Sequence, residues 1–198
     1  LGNSPDPIEL MKKYGADGVR VGMLLCSPAG NDLPFDEGLC EQGRNFSNKI
    51  WNSLRLIKGW KVEDIDQPES AKQAVNWFNS KISKSIVNID KSYSKYRISE
   101  ALMSTYKLVW DDFCSWYLEI VKPNYGSPID KITYAKTIEQ LEKILKLLHP
   151  FMPFLSEEIW HLIDDRTNDI IVADWPKAGD IDEILLADFE HTSEVVAG

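Results

Sequence analysis

Apolar residues recur every three or four positions along most of this 198-residue chain, in runs that proline and glycine interrupt. This spacing puts apolar side chains on one face of an α-helix, whereas a half-buried strand requires strict alternation. Because 43% of the residues are hydrophobic, the chain can bury such faces against one another. We therefore predict an all-α fold, a bundle of amphipathic helices joined by short polar loops.

Capping residues and helix breakers predict where the helices begin and end. Asp6 and Pro7 are typical of a helix N-terminus, and Gly15 ends that first helix. A loop is predicted at 28–34 and a short extended run at 170–173. The other predicted helices run from Asp17 towards Cys26, over about 38–60, 71–93 and 98–122, through Ile138–Leu148, over 153–163, and from about Asp182 onwards.

The predicted helix over 98–122 carries more aromatic residues than one face can hold. Its apolar stripe includes Val109, Phe113 and Tyr117, and Trp110 and Trp116 widen it. We therefore expect this helix to be the most buried of the bundle, with Trp110 in the core.

Composition excludes several classes of protein. No apolar run approaches the roughly 18 residues of a membrane span, and no secretory signal opens the chain. The three cysteines and three histidines lack the spacing of a disulfide framework or a metal site. A cytoplasmic protein without membrane association, a metal site or a bound cofactor is expected.

Charge is distributed unevenly around a formal net charge of −9. Five basic residues and no acidic one lie between Arg44 and Lys61, and six basic residues accompany only Asp90 between Lys72 and Arg97. Twelve carboxylates lie between Glu157 and Glu194. One region could therefore meet phosphates, although ordinary solvated helix faces would show the same pattern.

Two polar faces are candidates for binding RNA. On the helix over 38–60, the face opposite Phe46 and Ile50 carries side chains that bind phosphates and base edges. On the helix over 71–93, an aromatic residue stands among lysines outside the apolar stripe, where it could stack on a base or pack against another helix. The candidates are Arg44, Asn48, Lys49, Asn52 and Arg55 on the first helix, and Trp77, Lys81 and Lys84 on the second.

Several segments, in order, resemble valyl-tRNA synthetases of class Ia. Leu1-Gly2-Asn3 is similar to the residues that follow the family's Lys-Met-Ser-Lys-Ser loop. The runs most typical of the valyl enzymes are Gly30-Asn31-Asp32-Leu33-Pro34-Phe35-Asp36 and Trp110-Asp111-Asp112-Phe113-Cys114. Arg44-Asn45-Phe46-Ser47-Asn48-Lys49-Ile50-Trp51-Asn52 and His149-Pro150-Phe151-Met152-Pro153-Phe154 extend the likeness over nearly the whole chain.

The resemblance implies a division of the chain and a function. Residues 1–37 would be connecting helices after the catalytic domain of the same chain, 38–165 the anticodon-binding helical bundle, and 166–198 a C-terminal extension with a truncated helix. The bundle would recognise the anticodon stem-loop of valine tRNA. The full enzyme would use ATP and magnesium to join valine to that tRNA, whereas this fragment would hold no catalytic residue.

The pentad Lys81-Ile82-Ser83-Lys84-Ser85 is a textual variant of the ATP-binding Lys-Met-Ser-Lys-Ser signature. Ile82 falls on the apolar face of a continuous helical pattern, so we predict a helix here rather than a mobile catalytic loop. Asp111, Asp112 and Glu119 could supply acid–base chemistry, but no nucleophile or phosphate-binding motif accompanies them. Three other interpretations remain open: the same domain of an isoleucyl or leucyl enzyme, a helical protein-interaction module, and a self-contained enzyme.

Overall fold

The computed structural model describes residues 5–26 and 35–197, with side chains as far as Ser193. The predicted loop at 28–34 and the Leu1-Gly2-Asn3 segment lie outside the described residues. Within them the protein is almost entirely helical, which confirms the all-α prediction. The elements are α1 (Pro7–Tyr14), α2 (Ala16–Cys26), α3 (Glu37–Lys58), β1 (Val62–Glu63), α4 (Glu69–Ser94), α5 (Ile98–Lys107), a π-helical segment (Leu108–Tyr117), α6 (Leu118–Val121), β2 (Ile129–Asp130), α7 (Lys131–Leu148), α8 (Pro153–Ile163), a 3-10 turn (Ile170–Val172) and α9 (Glu183–Ala197).

The helix starts follow the capping chemistry that the sequence predicts. The Asp6 carboxylate accepts a hydrogen bond from the Ile8 amide, and Gly15 ends α1 at a φ of +76°. Asp36 caps α3 in the same way, by accepting from the Gly38 amide. These bonds satisfy amides that have no partner inside the helix, so the boundaries of α1 and α3 have a local cause.

The core lies between α3, α4, the π segment and α7. The apolar stripe of α3, which includes Phe46 and Ile50, is buried there together with Phe78 and Ile82 of α4. Val21 of α2 and Leu186 of α9 join the same cluster. Since this core draws on residues from all three predicted divisions, the boundaries at 37 and 165 stay predictions. No helix in the described part of the chain is long and apolar enough to cross a membrane.

The helix predicted over 98–122 contains a ten-residue π-helical segment. Its buried side chains follow the five-residue spacing of Leu108, Phe113 and Leu118, each no more than 2% exposed. The wider turn changes which side chains face inward. The prediction that Trp110 lies in the core is wrong: Trp110 is half-buried at the edge of the bundle.

A two-residue parallel β-bridge joins the segment after α3 to the segment before α7. Val62 pairs with Ile129 and Glu63 with Asp130, and the Ile129 amide donates to the Lys61 carbonyl at 2.8 Å. The predicted extended run at 170–173 is also wrong, because Ile170–Val172 forms a 3-10 turn whose Ile170 side chain is buried.

Helices α2 and α3 cross with their backbones in contact. A Cβ atom built on Gly43 would lie 2.4 Å from the Gly18 carbonyl oxygen, and one on Gly22 would lie 2.6 Å from the Cys40 amide nitrogen. Both distances are too short for any side chain, so these positions admit only glycine unless the helices separate.

We expect Gly43→Ala to lower the free energy of unfolding by about 1–3 kcal/mol, because the added methyl group overpacks the crossing. Urea unfolding of the variant and the wild type measures the difference. Gly179→Ala is the matched control, since its Cβ would meet the Ser83 hydroxyl at an ordinary 3.5 Å. Equal stability of Gly43→Ala and wild type would show that the helices separate without cost.

Candidate nucleic-acid interface

Helix α3 presents a polar face along its length. At about 100° per residue, Arg44, Asn48, Asn52 and Arg55 fall within an arc of roughly 80°, and all four are exposed. The opposite side of the helix is buried, because Phe46, Ile50, Leu54 and Ile57 are each at most 2% exposed. The predicted placement of these four polar side chains on one exposed face is therefore confirmed, while their contact with RNA stays a prediction.

Most polar side chains on this face have no partner among the described residues. In the described part of the chain, Asn48, Asn52 and Arg55 make no side-chain hydrogen bond or ion pair. Arg44 is anchored, since its guanidinium donates to the Lys13 carbonyl at 2.8 Å. Lys58, on the flank of the helix, donates to the Leu162 carbonyl at 2.6 Å. The unpaired donors from Asn48 to Arg55 are spaced over about 10 Å of helix and can bind phosphates or base edges.

An open cleft of about 410 Å³ lies at the Arg44 end of the face. Lys13, which lines it, is paired with Glu37 at 2.7 Å, and the carboxylate raises the pKa of that lysine. The positive charge of Lys13 is therefore largely balanced, which leaves Arg44 as the main cation. The full lining is Lys13, Tyr14, Glu41, Arg44, Asn45 and Asn48.

Lys49 lies at the edge of the polar face, next to an aromatic pair that the sequence-based selection of site residues missed. Its ammonium is 5.3 Å from the centre of the Trp110 ring. Trp110 and Tyr106 stack with ring centres 5.5 Å apart and planes 7° from parallel. The i, i+4 spacing of these two aromatics was the available signal, but an ideal α-helical stripe assigned both to the core.

The sequence leaves two roles open for Trp77, stacking on a base and packing against another helix, and the structure shows the second. Trp77 is 3% exposed, and its ring stacks on Phe189 of α9 with centres 3.8 Å apart. The C-terminal segment covers this face of α4: the Ser80 hydroxyl accepts from the Asp182 amide, and the Ser83 hydroxyl accepts from the Gly179 amide. Trp77 thus packs against another helix, the alternative that the sequence left open, and its ring is not available to a base.

Lys81 and Lys84 lie on the same side of α4 as Trp77, and both are paired. Lys81 lies 3.2 Å from Asp112 of the π segment, and Lys84 lies 2.7 Å from Glu183 of α9. Either lysine would have to leave a carboxylate to reach a phosphate. Their selection as nucleic-acid ligands stays a prediction that no contact in the protein supports.

The pentad Lys81–Ser85 does not fit an ATP-phosphate site. It lies inside α4, Ile82 is 1% exposed, and Ser83 binds the Gly179 amide. Asp112 is a partly buried residue paired with Lys81. Burial raises its pKa to about 6, although Lys81 opposes this shift.

One group of side chains has atoms close enough to share a metal ion. The ligand atoms of Glu157, His161 and Asp169 lie within 4.8 Å of one another. The same atoms already pair among themselves, since His161 Nε2 is 3.0 Å from Glu157 and 3.4 Å from Asp169. Within the described residues no further His, Cys, Asp or Glu side chain joins this group.

Comparison with known proteins identifies the family to which this helical chain belongs. A family model described as the anticodon-binding domain of tRNA ligase matches residues 75–197. Over its full length the chain is 60% identical to a valine–tRNA ligase of Christiangramia forsetii and 55% identical to one of Parabacteroides distasonis. It spans 23% of the length of each of these curated relatives.

The fold has a counterpart among solved structures. A LeuRS of Agrobacterium radiobacter K84, crystallised in a ternary complex with tRNA and LeuAMS, matches with a TM-score of 0.64 at 20% sequence identity. The match covers 94% of this chain and 22% of that one. At this identity it bears on the fold alone. Since the family model covers more than half of the residues, this chain belongs to the anticodon-binding domain family of tRNA ligases.

Proposed function

We propose that this chain binds the anticodon stem-loop of valine tRNA as part of a valine–tRNA ligase. The observation that carries the proposal is the 51–60% identity, over the whole chain, to seven curated proteins that are all valine–tRNA ligases. The family indicates that the ligand is a tRNA, and these relatives indicate that the amino acid is valine.

The polar face of α3 is the proposed contact surface. Arg55, Asn52 and Asn48 have donors that no other described residue uses, and bases of a single-stranded loop are read by such donors at their edges. Arg44, held by the Lys13 carbonyl, would bind a backbone phosphate. The acidic C-terminal region would discourage RNA from approaching elsewhere. Trp77 is excluded from this surface because Phe189 covers it.

The chemistry of the parent ligase would take place elsewhere in that enzyme. Activation of valine with ATP and magnesium is assigned to the catalytic domain, and this chain is proposed to hold neither group. We expect no valine-dependent exchange of pyrophosphate into ATP by this chain alone. The proposed setting is the cytoplasm.

A binding titration tests the proposal. The 198-residue chain is titrated with a valine-tRNA anticodon stem-loop and with the same hairpin carrying another anticodon, at 50 and 200 mM salt. Tighter binding of the valine hairpin, weakened by salt through counterion release, is expected. Equal affinity for both hairpins would contradict anticodon recognition, and no binding at low salt would contradict an RNA role.

We expect Arg55→Ala to weaken binding of the valine hairpin by about 1–3 kcal/mol if Arg55 reads a base, with a smaller loss for the swapped hairpin. A phosphate contact would instead weaken both equally and lower the salt slope by about one. Arg97→Ala is the matched control, because Arg97, the residue before α5, pairs with Glu100 of that helix. Unchanged binding by Arg55→Ala would remove Arg55 from the interface.

A further inference from the structure

The half-buried Trp110 stands where the polar face of α3 meets the π segment. Lys49 reaches across this boundary and holds its ammonium 5.3 Å from the ring centre. A contact of 3.1 Å between the Ser53 hydroxyl and the Cys114 thiol fixes the two helices side by side at this level. Trp110 therefore packs on the outside of the core, with its ring centre 6.4 Å from that of Phe46, and lies next to Lys49 of α3.

The ring is held in place before any ligand arrives. Tyr106 lies nearly parallel to it at 5.5 Å, and the buried Phe46 supports Tyr106 at 4.5 Å. The indole Nε1 makes no hydrogen bond within the described residues and is not buried. A rigid aromatic with one polar edge in solvent loses little conformational freedom when a flat ligand stacks on it.

The surroundings favour an anionic, single-stranded ligand. No acidic residue occurs between Arg44 and Lys61, so the α3 side of the surface beside Trp110 attracts phosphate, whereas the π segment contributes the exposed Asp111. A duplex keeps its bases stacked inside, whereas loop bases are free to stack on protein aromatics. Trp77, the aromatic residue selected from the sequence as a candidate for this role, is covered by Phe189 at 3.8 Å.

We infer that Trp110 is a stacking position for an unpaired base of the anticodon loop, and that Lys49 moves from the ring to a neighbouring phosphate when RNA binds. This inference rests on the proposed function. The exchange replaces a weak exposed cation–π contact with a base stack and a charge-assisted phosphate contact.

The test compares Trp110→Leu with Trp116→Leu in the 198-residue chain. Trp116 is also half-buried in the π segment, but it packs edge-on against Phe189, 5.7 Å away. Binding is measured with the valine stem-loop and with the same stem closed as a fully paired duplex. Trp110→Leu should weaken stem-loop binding roughly 5- to 150-fold, the range that base stacking covers, and leave duplex binding unchanged. Trp116→Leu should match wild type with both RNAs.

Two further measurements, and one substitute variant, distinguish base stacking on Trp110 from a change in packing. Lys49→Gln should lower the salt slope by about one for the stem-loop. A 2-aminopurine placed at each loop position in turn should be quenched at one position by wild type, and not by Trp110→Leu. If the leucine variant does not fold, Trp110→Phe should still lose at least about 3-fold in affinity because its smaller ring stacks less.

Wild-type affinity of Trp110→Leu for the stem-loop would overturn the inference and leave the proposed function standing. Equal losses in Trp110→Leu and Trp116→Leu would overturn it as well, because both would then report a change in packing. Failure of the wild-type chain to bind any stem-loop would overturn the proposed function and this inference together.

Discussion

Phe113→Ala should lower the free energy of unfolding by about 3–5 kcal/mol, the range for deleting a buried phenylalanine side chain. Phe113 is 1% exposed and lies between two other aromatic rings, with Phe78 at 5.5 Å and Tyr117 at 5.7 Å. Truncation would leave a cavity that these rigid rings are poorly placed to fill. Urea unfolding monitored by circular dichroism gives the difference.

The matched control is Phe154→Ala, which removes the same atoms from a side chain that is 66% exposed. We expect a change within about 0.5 kcal/mol there, as for surface sites in general. A similarly small effect at Phe113 would show that the π segment is not part of the stable core.

As the pH rises, the free energy of unfolding of Asp112→Asn should increase relative to that of wild type. Burial raises the pKa of Asp112 to about 6, with Lys81 opposing and Asp111 and Glu190 adding to the shift. In the unfolded chain an aspartate titrates near 3.9, so between these values the folded state binds more protons. The stability that Asp112 contributes is present below about pH 4 and is lost as the pH rises through 6.

Asparagine has the neutral charge of protonated aspartate, so the variant should not lose this contribution. Relative to Asp112→Asn, wild type should lose roughly 2–3 kcal/mol between pH 3.5 and 7.5, since each pKa unit corresponds to about 1.4 kcal/mol. Urea unfolding at both pH values measures this, with Asp66→Asn, a change at an exposed aspartate, as control. Parallel pH profiles for wild type and Asp112→Asn would contradict a buried carboxylate at this position.

Local patterns predicted those features whose causes are local. Asp6 and Asp36 each cap a helix through an amide two residues ahead, and the periodicity of Phe46, Ile50 and Leu54 identified the buried side of α3. The opposite side of α3 is then predicted to face solvent. The same periodicity therefore predicts the exposed positions of Arg44 and Arg55.

Features that depend on distant parts of the chain were not predictable in this way. The side of α4 that carries Trp77 is polar by composition, and it is buried only because α9, more than a hundred residues later, brings Phe189 against it. The parallel pair of Val62 and Ile129 likewise joins segments far apart in sequence. Trp110 was misplaced for another reason: the five-residue spacing of the π segment is not distinguishable, in one sequence, from an α-helical stripe with extra aromatics.

Because glycines bring the backbones of α2 and α3 into direct contact, we expect the two helices to move together. With backbone against backbone at Gly22 and Gly43, no layer of side chains lies between them to deform. Helix α2 is in turn hydrogen-bonded to α8 and to the turn before it, because Asp17 accepts from the Leu155 amide and Arg20 donates to the Pro150 and Phe151 carbonyls. A change in the tilt of α2 should therefore be accompanied by a change in the tilt of α3, which would alter the direction in which Arg44 and Arg55 point.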